Sequence, residues 1–451
     1  MRSATTLRSI FLAAALTLAA LLAGCTVHPP GEREERQAAI TAGKPFDKPA
    51  EKRGQIPLPD APTADDLVQH AMLANADLET RYWQWRSAIE QIPQDGTQST
   101  TLNVALGSTI TRGRTSSGMN TLTLGNDPMT DIKWPGKLDA AARIALQNAR
   151  AAGLRFRKAQ FELRGKVLAA YYDYALSAEL IRLSESNRQL LDTTATITEA
   201  RNRAGSAGQQ DVLKARNEVD LANNDIETMK AQFPAQRATL NALLDRAPEA
   251  PLPVPAGLPP AGTLGYDDAQ LLALVAQRNP ELSALAAEAR GRNDAVQLAR
   301  LQYFPDFNLA AGTDLAGITQ NLLGQATLPL FRYEALNAAI AQAQANLRAT
   351  DAMRRQAQND LAAQVILDLA TIRDADRQLV LFDQTILPRA RQTVEVARTS
   401  YESGHATLLD LLDSQRTLIS IDRLVANLRV LRAKRLADLE AVAAVNLELK
   451  E

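Results

Sequence analysis

Two halves of this 451-residue chain match each other, and this internal repeat limits the possible folds more than any single motif. Asn75–Leu78 opens the first half as Asn279–Leu282 opens the second. Each half then holds a long Ala-rich stretch that ends at a glycine. An aspartate follows each glycine six residues later, in the pairs Gly205–Asp211 and Gly404–Asp410. Because the spacing and the residue classes agree, we interpret the chain as a tandem duplication.

Each half is predicted to contain three helices. They lie at about 63–92, 137–203 and 211–245 in the first half, and at about 266–303, 331–403 and 406–449 in the second. At 1.5 Å per residue the longest reach on the order of 100 Å, far beyond a usual globular helix. In each half the two shorter helices are together about as long as the long one, so they can stack end to end beside it. An aromatic content of only 4% favours such close helix packing over a bulky globular core.

Between the short and the long helix of each half, the sequence alternates with the period of a β-strand. In the first half an apolar residue recurs at alternate positions from Leu102 to Ile110, which predicts a hairpin at about 97–126. In the second half a weaker alternation starts near Phe307 and predicts a hairpin at about 306–330. The strands therefore have one apolar face and one small or polar face.

The N-terminus carries the most specific motif. The almost wholly apolar run Ile10–Leu22 follows two arginines and is too short to span a bilayer as a helix. The Leu-Ala-Gly-Cys stretch that ends at Cys25, the only cysteine of the chain, resembles a bacterial lipobox. We predict a signal peptide over residues 1–24 and a covalent lipid on Cys25; the alternative is an ordinary secretory signal. By the same resemblance, Thr26 in place of an Asp indicates the outer membrane.

Two proline-rich stretches divide the rest of the chain. Residues 25–62 are polar and proline-rich, which predicts a lipidated extended tether rather than a fold. Residues 246–262 form a proline-rich linker. They separate the first repeat, 63–245, from the second, 263–451.

The strand count predicts an oligomer. A chain that crosses a bilayer with strands must close them into a barrel, because lipid offers no hydrogen bonds to an open edge. Membrane barrels start at about eight strands, so the four strands of one chain cannot close. A dimer would give about eight strands with a filled interior, whereas three chains give about twelve and leave a lumen. The fold class predicted is therefore mainly α, a homotrimeric α-barrel joined to a shared 12-stranded transmembrane β-barrel.

The chain resembles the TolC family of outer-membrane efflux proteins over about residues 63–449, and more closely its lipidated members. The residues that carry the resemblance are Asn279–Leu282, Leu387, Pro388, Tyr401, Gly404, Asp410–Asp413 and Gln415. The resemblance implies a homotrimer, a periplasmic α-helical tunnel and no catalysis. It also implies two partners, a periplasmic adaptor protein and an inner-membrane pump.

The resemblance places the functional residues in the two turns after the long helices, at Gly205 and Gly404. In the family these turns form a periplasmic tip that closes the channel. Asp410 and Asp413 match acidic positions that ring the pore, and Tyr401 and Asp211 match the network that holds the tip shut. Ala406 departs from the family, because a basic residue locks the tip there. The alternative for Asp211 and Asp410 is stabilisation of a helix N-terminus.

We therefore expect a passive exit duct for drugs, metabolites or metal ions across the periplasm and outer membrane of a Gram-negative bacterium. We expect no enzyme and no cofactor apart from the lipid, because His28, His70 and His405 are scattered and no nucleophile with a base is recognisable. The near-zero net charge of −1 argues against nucleic-acid binding. The alternatives are a lipid-anchored periplasmic coiled-coil scaffold without a pore and a type I protein secretion duct.

Overall fold

The computed structural model describes residues 26–49, 52–53, 57–99, 101–111, 117–126, 131–255, 257–259, 265–314, 320–445 and 447. The predicted signal peptide and Cys25 lie outside the described residues. The chain divides into two compact units. The sheet unit contains residues up to Lys44, Arg81–Arg155 and Glu281–Ala357, and the tip unit contains Pro45–Thr80, Phe156–Pro280 and the chain from Gln358 onward.

Both halves follow the predicted order of helices and strands. Helix α1 (Glu32–Ala42) precedes the first half, whose helices are α2 (Ala64–Ala74), α3 (Ala76–Gly96), α4 (Pro135–Arg203) and α5 (Gln209–Leu243). The helices of the second half are α6 (Asp268–Arg278), α7 (Pro280–Leu301), α8 (Tyr333–Leu381), α9 (Leu387–Glu402) and α10 (Leu408–Ala443). The mainly helical, duplicated pattern is confirmed, with two additional breaks at Asn75 and Asn279.

An asparagine breaks the first helical stretch of each half in the same way. Asn75 ends α2 and Asn279 ends α6, each with an extended backbone. The Nδ2 of Asn75 donates to the carbonyl of Leu243 at 3.0 Å, and that of Asn279 donates to the carbonyl of Val442 at 2.9 Å. Each asparagine thus satisfies a carbonyl in the last turn of its half's final helix, where intrahelical donors are missing. This shared role explains why both halves carry Asn at this position.

The four strands form one antiparallel sheet in the order β1-β2-β3-β4, within the sheet unit. The first hairpin supplies β1 (Leu102–Thr111) and β2 (Ser117–Asn126), and the second supplies β3 (Asp306–Asp314) and β4 (Gln320–Thr327). The register pairs apolar with apolar residues, Val104 with Leu124, Leu124 with Ala311 and Ala311 with Leu322. One sheet face is therefore apolar and the other is mostly small or polar, as predicted.

The prediction of an extended tether over residues 25–62 is wrong for its central part. Helix α1 packs within the sheet unit, where the indole N–H of Trp85 donates to Glu35 Oε1 at 2.8 Å. Just beyond α1, Gly43 lies so close to Tyr82 that an added Cβ would be 1.9 Å from its hydroxyl. The sequence hid this helix because it is polar overall and its packing uses a few side chains rather than a broad apolar stripe.

A π-helical turn, Phe382–Ile386, separates α8 from α9. The amide of Leu387 donates to the carbonyl of Phe382, five residues earlier. Pro388 follows at once; it has no N–H, and its ring would clash in a regular turn. The helix accommodates Pro388 by this widened turn.

The interior reflects the alanine-rich composition. In the sheet unit, Ala151, Ala284 and Ala287 are at most 1% exposed and bring helix backbones close together. In the tip unit, an aliphatic cluster that includes Leu271, Leu369 and Leu439 joins α6, α8 and α10. Within the described ranges, no helix is both long enough and apolar enough to pass through a membrane.

Candidate functional site

Two matched turns connect the long helix of each half to its last helix, and both lie in the tip unit. Gly205 has a φ of +74° and Gly404 a φ of +82°, in the left-handed region that glycine adopts without a Cβ clash. The amide after each glycine donates to the carbonyl five residues earlier, Ser206 to Arg201 at 2.8 Å and His405 to Ser400 at 2.8 Å. This is the common glycine-dependent ending of an α-helix, so the turns themselves require both glycines.

The helices that follow the turns begin differently. At α10 the Thr407 hydroxyl accepts from the Asp410 amide at 3.2 Å, and the Asp410 carboxylate accepts from the Thr407 amide at 3.0 Å. Hydrogen bonds from the hydroxyl and then the amide of Thr407 hold the pKa of Asp410 below its ordinary value. At α5 the corresponding residue is Gly208, which has no side chain to cap the helix. Asp211 lies in the first turn of α5, where the helix dipole favours a carboxylate.

Two buried hydrogen bonds tie α4 to the second half. The Tyr401 hydroxyl, on α9, donates to Thr198 Oγ1 at 3.0 Å. One helical turn away, Gln415 Nε2, on α10, donates to Thr194 Oγ1 at 2.9 Å. Both bonds lie in an apolar cluster that includes Leu191, Ala195, Val219, Leu408, Leu411 and Leu412. Since these groups would be costly to leave unpaired there, the two bonds fix how α9 and α10 pack on α4.

The Arg201 guanidinium, in the last turn of α4, contacts both turns. It donates to the carbonyl of Tyr401 and, at 3.2 Å, to that of Ser206. Its central carbon lies 4.4 Å from the centre of the Tyr401 ring, within range for a cation–π interaction. Arg201 is not among the functional residues predicted from the sequence. The available signal was a basic residue in the last turn before a helix-ending glycine, where it can bind terminal carbonyls.

The predicted gate residues do not form one cluster. Tyr401 is buried and donates to Thr198 rather than to Asp211. Asp410 and Asp413 are exposed and lie one turn apart on α10. Within the described part of the chain, the carboxylates of Asp211 and Asp413 have no hydrogen-bond or ion-pair partner. Asp413 is therefore the predicted gate residue whose carboxylate contributes least to stabilising its own helix.

The described residues contain no group of three or more His, Cys, Asp or Glu side chains that could hold a metal ion. The chemistry that the tip offers is thus exposed carboxylates above a buried, hydrogen-bonded helix junction.

Two matched repeats of long helices that share one small sheet, with glycine-turned helix ends, define a channel protein of the outer-membrane duct class. The chain belongs to the outer membrane efflux protein family, whose model matches residues 67–246 and 271–445. The two matched segments coincide with the two halves of the internal repeat. The chain is accordingly the outer-membrane channel component of an efflux system in a Gram-negative bacterium, and not an enzyme.

Curated relatives span most of the chain. The "Pyoverdine export outer membrane protein OpmQ" of Pseudomonas aeruginosa is 24% identical over 396 residues, which are 82% of this chain and 83% of the relative. The "Cobalt-zinc-cadmium resistance protein CzcC" of Cupriavidus metallidurans is 26% identical over 314 residues, 63% of this chain and 68% of the relative. The "Cation efflux system protein CusC" of Escherichia coli K12 is 21% identical over 396 residues, covering 81% and 83%.

Solved structures agree with the fold. The structure of CusC has a TM-score of 0.75 at 17% identity and covers 88% of this chain and 96% of its own. The outer membrane protein VceC of Vibrio cholerae has a TM-score of 0.73 at 19% identity, with coverage of 85% and 97%. At such low identity the likeness concerns the fold, which is that of outer-membrane efflux channels.

Proposed function

We propose that three copies of this chain form a passive exit duct for small molecules or metal ions, joined to a periplasmic adaptor and an energised inner-membrane pump. The observation that carries this proposal is the four-stranded sheet with an apolar face and two edge strands. In this arrangement the pump supplies energy and most of the selectivity, and the channel supplies a continuous path.

The sheet favours closure between copies. β1 and β4 are its edges, and Val104, Leu106 and Leu322 on its apolar face are 58%, 77% and 73% exposed. Such a face is unfavourable in water and favourable in lipid, provided that the edge strands find partners. Three chains would supply about twelve strands, enough to enclose a lumen.

The N-terminal segment supports a lipid anchor on Cys25 close to the sheet. Thr26, the next residue, lies with its hydroxyl 3.1 Å from that of Thr97, and the amide of Val27 donates to the carbonyl of Gly96 at 2.9 Å. Gly96 and Thr97 lie just before β1, so the residues that follow the predicted lipidation site are held beside the strands that we place in the membrane. Labelling with a tagged fatty acid tests the anchor: the wild type should incorporate the label and Cys25→Ala should not, whereas an unlabelled wild type would refute the anchor.

We place the selective opening at the tip, where Asp410 and Asp413 of three chains would concentrate negative charge. Asp413→Asn is the cleaner substitution, because the Asp410 carboxylate also caps α10. The wild-type channel should prefer cations, and Asp413→Asn should lower that preference in reversal-potential measurements across a salt gradient. An unchanged preference would exclude Asp413 as a source of cation selectivity.

Cross-linking tests the trimer and its closure. Ala105→Cys in β1 and Gln325→Cys in β4 place thiols on the same sheet face at opposite edges. The double variant, treated with a short bifunctional maleimide in membranes, should give a covalent trimer, whereas Ala105→Cys alone should give none. Planar-bilayer recordings of the same protein should show discrete conductance steps. A linked trimer without conductance would favour a scaffold. Unlinked monomers that also fail to conduct would refute the duct.

A further inference from the structure

We propose that Arg201 is a positioning residue that fastens the two turns of one chain to each other, so that the tip opens only when its guanidinium leaves Tyr401. The connection with opening depends on the proposed duct. The fastening of the turns does not, because it is a property of one folded chain.

The three contacts of Arg201 reach both turns at once. The bond to Ser206 holds the first turn, and the bond to the Tyr401 carbonyl holds the end of α9, where the second turn begins. The guanidinium also stacks on the Tyr401 ring at 4.4 Å. A Cβ added to Gly404 would lie 3.6 Å from Nη2 of Arg201, so the second turn passes directly beside this side chain. One side chain thus links backbone atoms that are about 200 positions apart.

Arg201 is the outermost of three successive links between α4 and the second half. The inner two, from Gln415 to Thr194 and from Tyr401 to Thr198, are buried in the apolar cluster of the tip unit. Breaking them would leave buried polar groups without partners. The half-buried guanidinium of Arg201 can instead exchange its carbonyl partners for water. Separation of the two turns should therefore begin at Arg201, while the inner links keep the helices in register.

The geometry requires an arginine rather than any cation. A planar guanidinium can stack on a ring and donate in two directions in its own plane, whereas a lysine ammonium is a point charge on a flexible stem. Arg201→Lys should therefore keep the charge and lose most of the fastening. Arg203 provides the matched control, because it lies in the same last turn of α4 and is exposed, with no contact to Tyr401.

Hydrogen exchange of the full-length, detergent-solubilised protein measures the fastening directly. Arg201→Gln should speed exchange at both turns, residues 202–208 and 402–407, by roughly tenfold, the ratio expected for loss of one charge-assisted hydrogen bond at each turn. Arg201→Lys should behave similarly, and Arg203→Gln should match the wild type. Faster exchange at the first turn only, or an equal effect of Arg203→Gln, would overturn the proposal.

Conductance then separates the fastening from the duct. Arg201→Gln should raise the open fraction of the channel in planar bilayers, and Arg203→Gln should not. If both turns loosen in exchange but no protein conducts, the fastening stands and the duct fails. If the wild type conducts but Arg201→Gln changes neither exchange at the second turn nor the open fraction, the duct stands and Arg201 has no positioning role.

Discussion

Asp368 offers a sharp test of the physical reasoning, because its carboxylate is fully buried and only partly satisfied. It lies on α8 with 0% exposure, beside Val365 and Leu369 of the aliphatic cluster. Its Oδ2 accepts from Gln364 Nε2 at 2.9 Å, whereas its Oδ1 has no hydrogen-bond partner among the described residues and lies 3.7 Å from Arg435 Nη1. Burial therefore raises the pKa of Asp368, with the bond from Gln364 acting against this effect.

Asp368→Asn should stabilise the protein at neutral pH. The amide has the same shape, keeps an oxygen for Gln364 and removes the buried charge. Because burying a charged group with an unpaired oxygen costs more than burying a neutral amide whose Nδ2 also lacks an acceptor, we expect a net gain of about 1 kcal/mol, or roughly 1–2 °C in Tm. In the folded protein the pKa of Asp368 lies above its ordinary value of 3.8. Protonation of Asp368 therefore contributes its full stabilisation below pH 3.8, and this contribution is lost as the pH rises through the pKa of the folded state. The advantage of the amide should thus shrink on acidification.

Thermal unfolding followed by tryptophan fluorescence between pH 4 and pH 8 is the suitable assay. Asp374→Asn, on the same helix, is the matched control: hydrogen bonds from Arg377 and Gln378 lower the pKa of Asp374, and its side chain is exposed. The control variant should show no gain at neutral pH. If Asp368→Asn lowers Tm at pH 7.5, or if its gain is independent of pH, then Arg435 compensates the charge of the Asp368 carboxylate and its burial does not destabilise the protein.

Three further predictions concern the turns and the N-terminal segment. Thr407→Ala removes the cap of α10 and should lower the free energy of unfolding by about 1 kcal/mol. Lowering the pH through the depressed pKa of Asp410 should weaken the same cap, which faster amide exchange at the start of α10 would show. Gly404→Ala forces a Cβ into a left-handed turn and should lower stability by about 1–2 kcal/mol, measured by denaturant unfolding against a Ser403→Ala control. Gly43→Ala would clash with Tyr82 and should loosen the segment around α1, detected as new cleavage sites in limited proteolysis.

The order of elements was readable from the sequence because it depends on strong, repeated signals. Long 3.6-residue periodicity, the alternation at β1 and the glycine–aspartate spacing each reflect local backbone requirements. The internal repeat made these signals more reliable, since the same pattern occurs twice. The breaks at Asn75 and Asn279 were not placed, because their cause is a carbonyl at the far end of the same half, which no local window contains.

The sequence indicated the two glycine-ended helix turns but not the contacts around them. Gly205 and Gly404 were predictable, because only a glycine enters the left-handed turn at low cost. The partner of Tyr401 was not, since Thr198 approaches it from the other half of the chain. Arg201 was overlooked for the same reason: its role depends on three groups that come together only in the folded tip unit.

The π-helical turn has a bearing on how the two repeats could diverge. α8, the turn and α9 contain 49, 5 and 16 residues, about as many in total as the 69 residues of α4. One extra residue rotates the rest of an α-helix by about 100°, which would swing Tyr401 away from Thr198. A single π turn takes up one residue and restores the phase of the helix beyond it. The second repeat could therefore accept an insertion upstream while the tip kept its original geometry, so the long helices can evolve in length without refitting the tip.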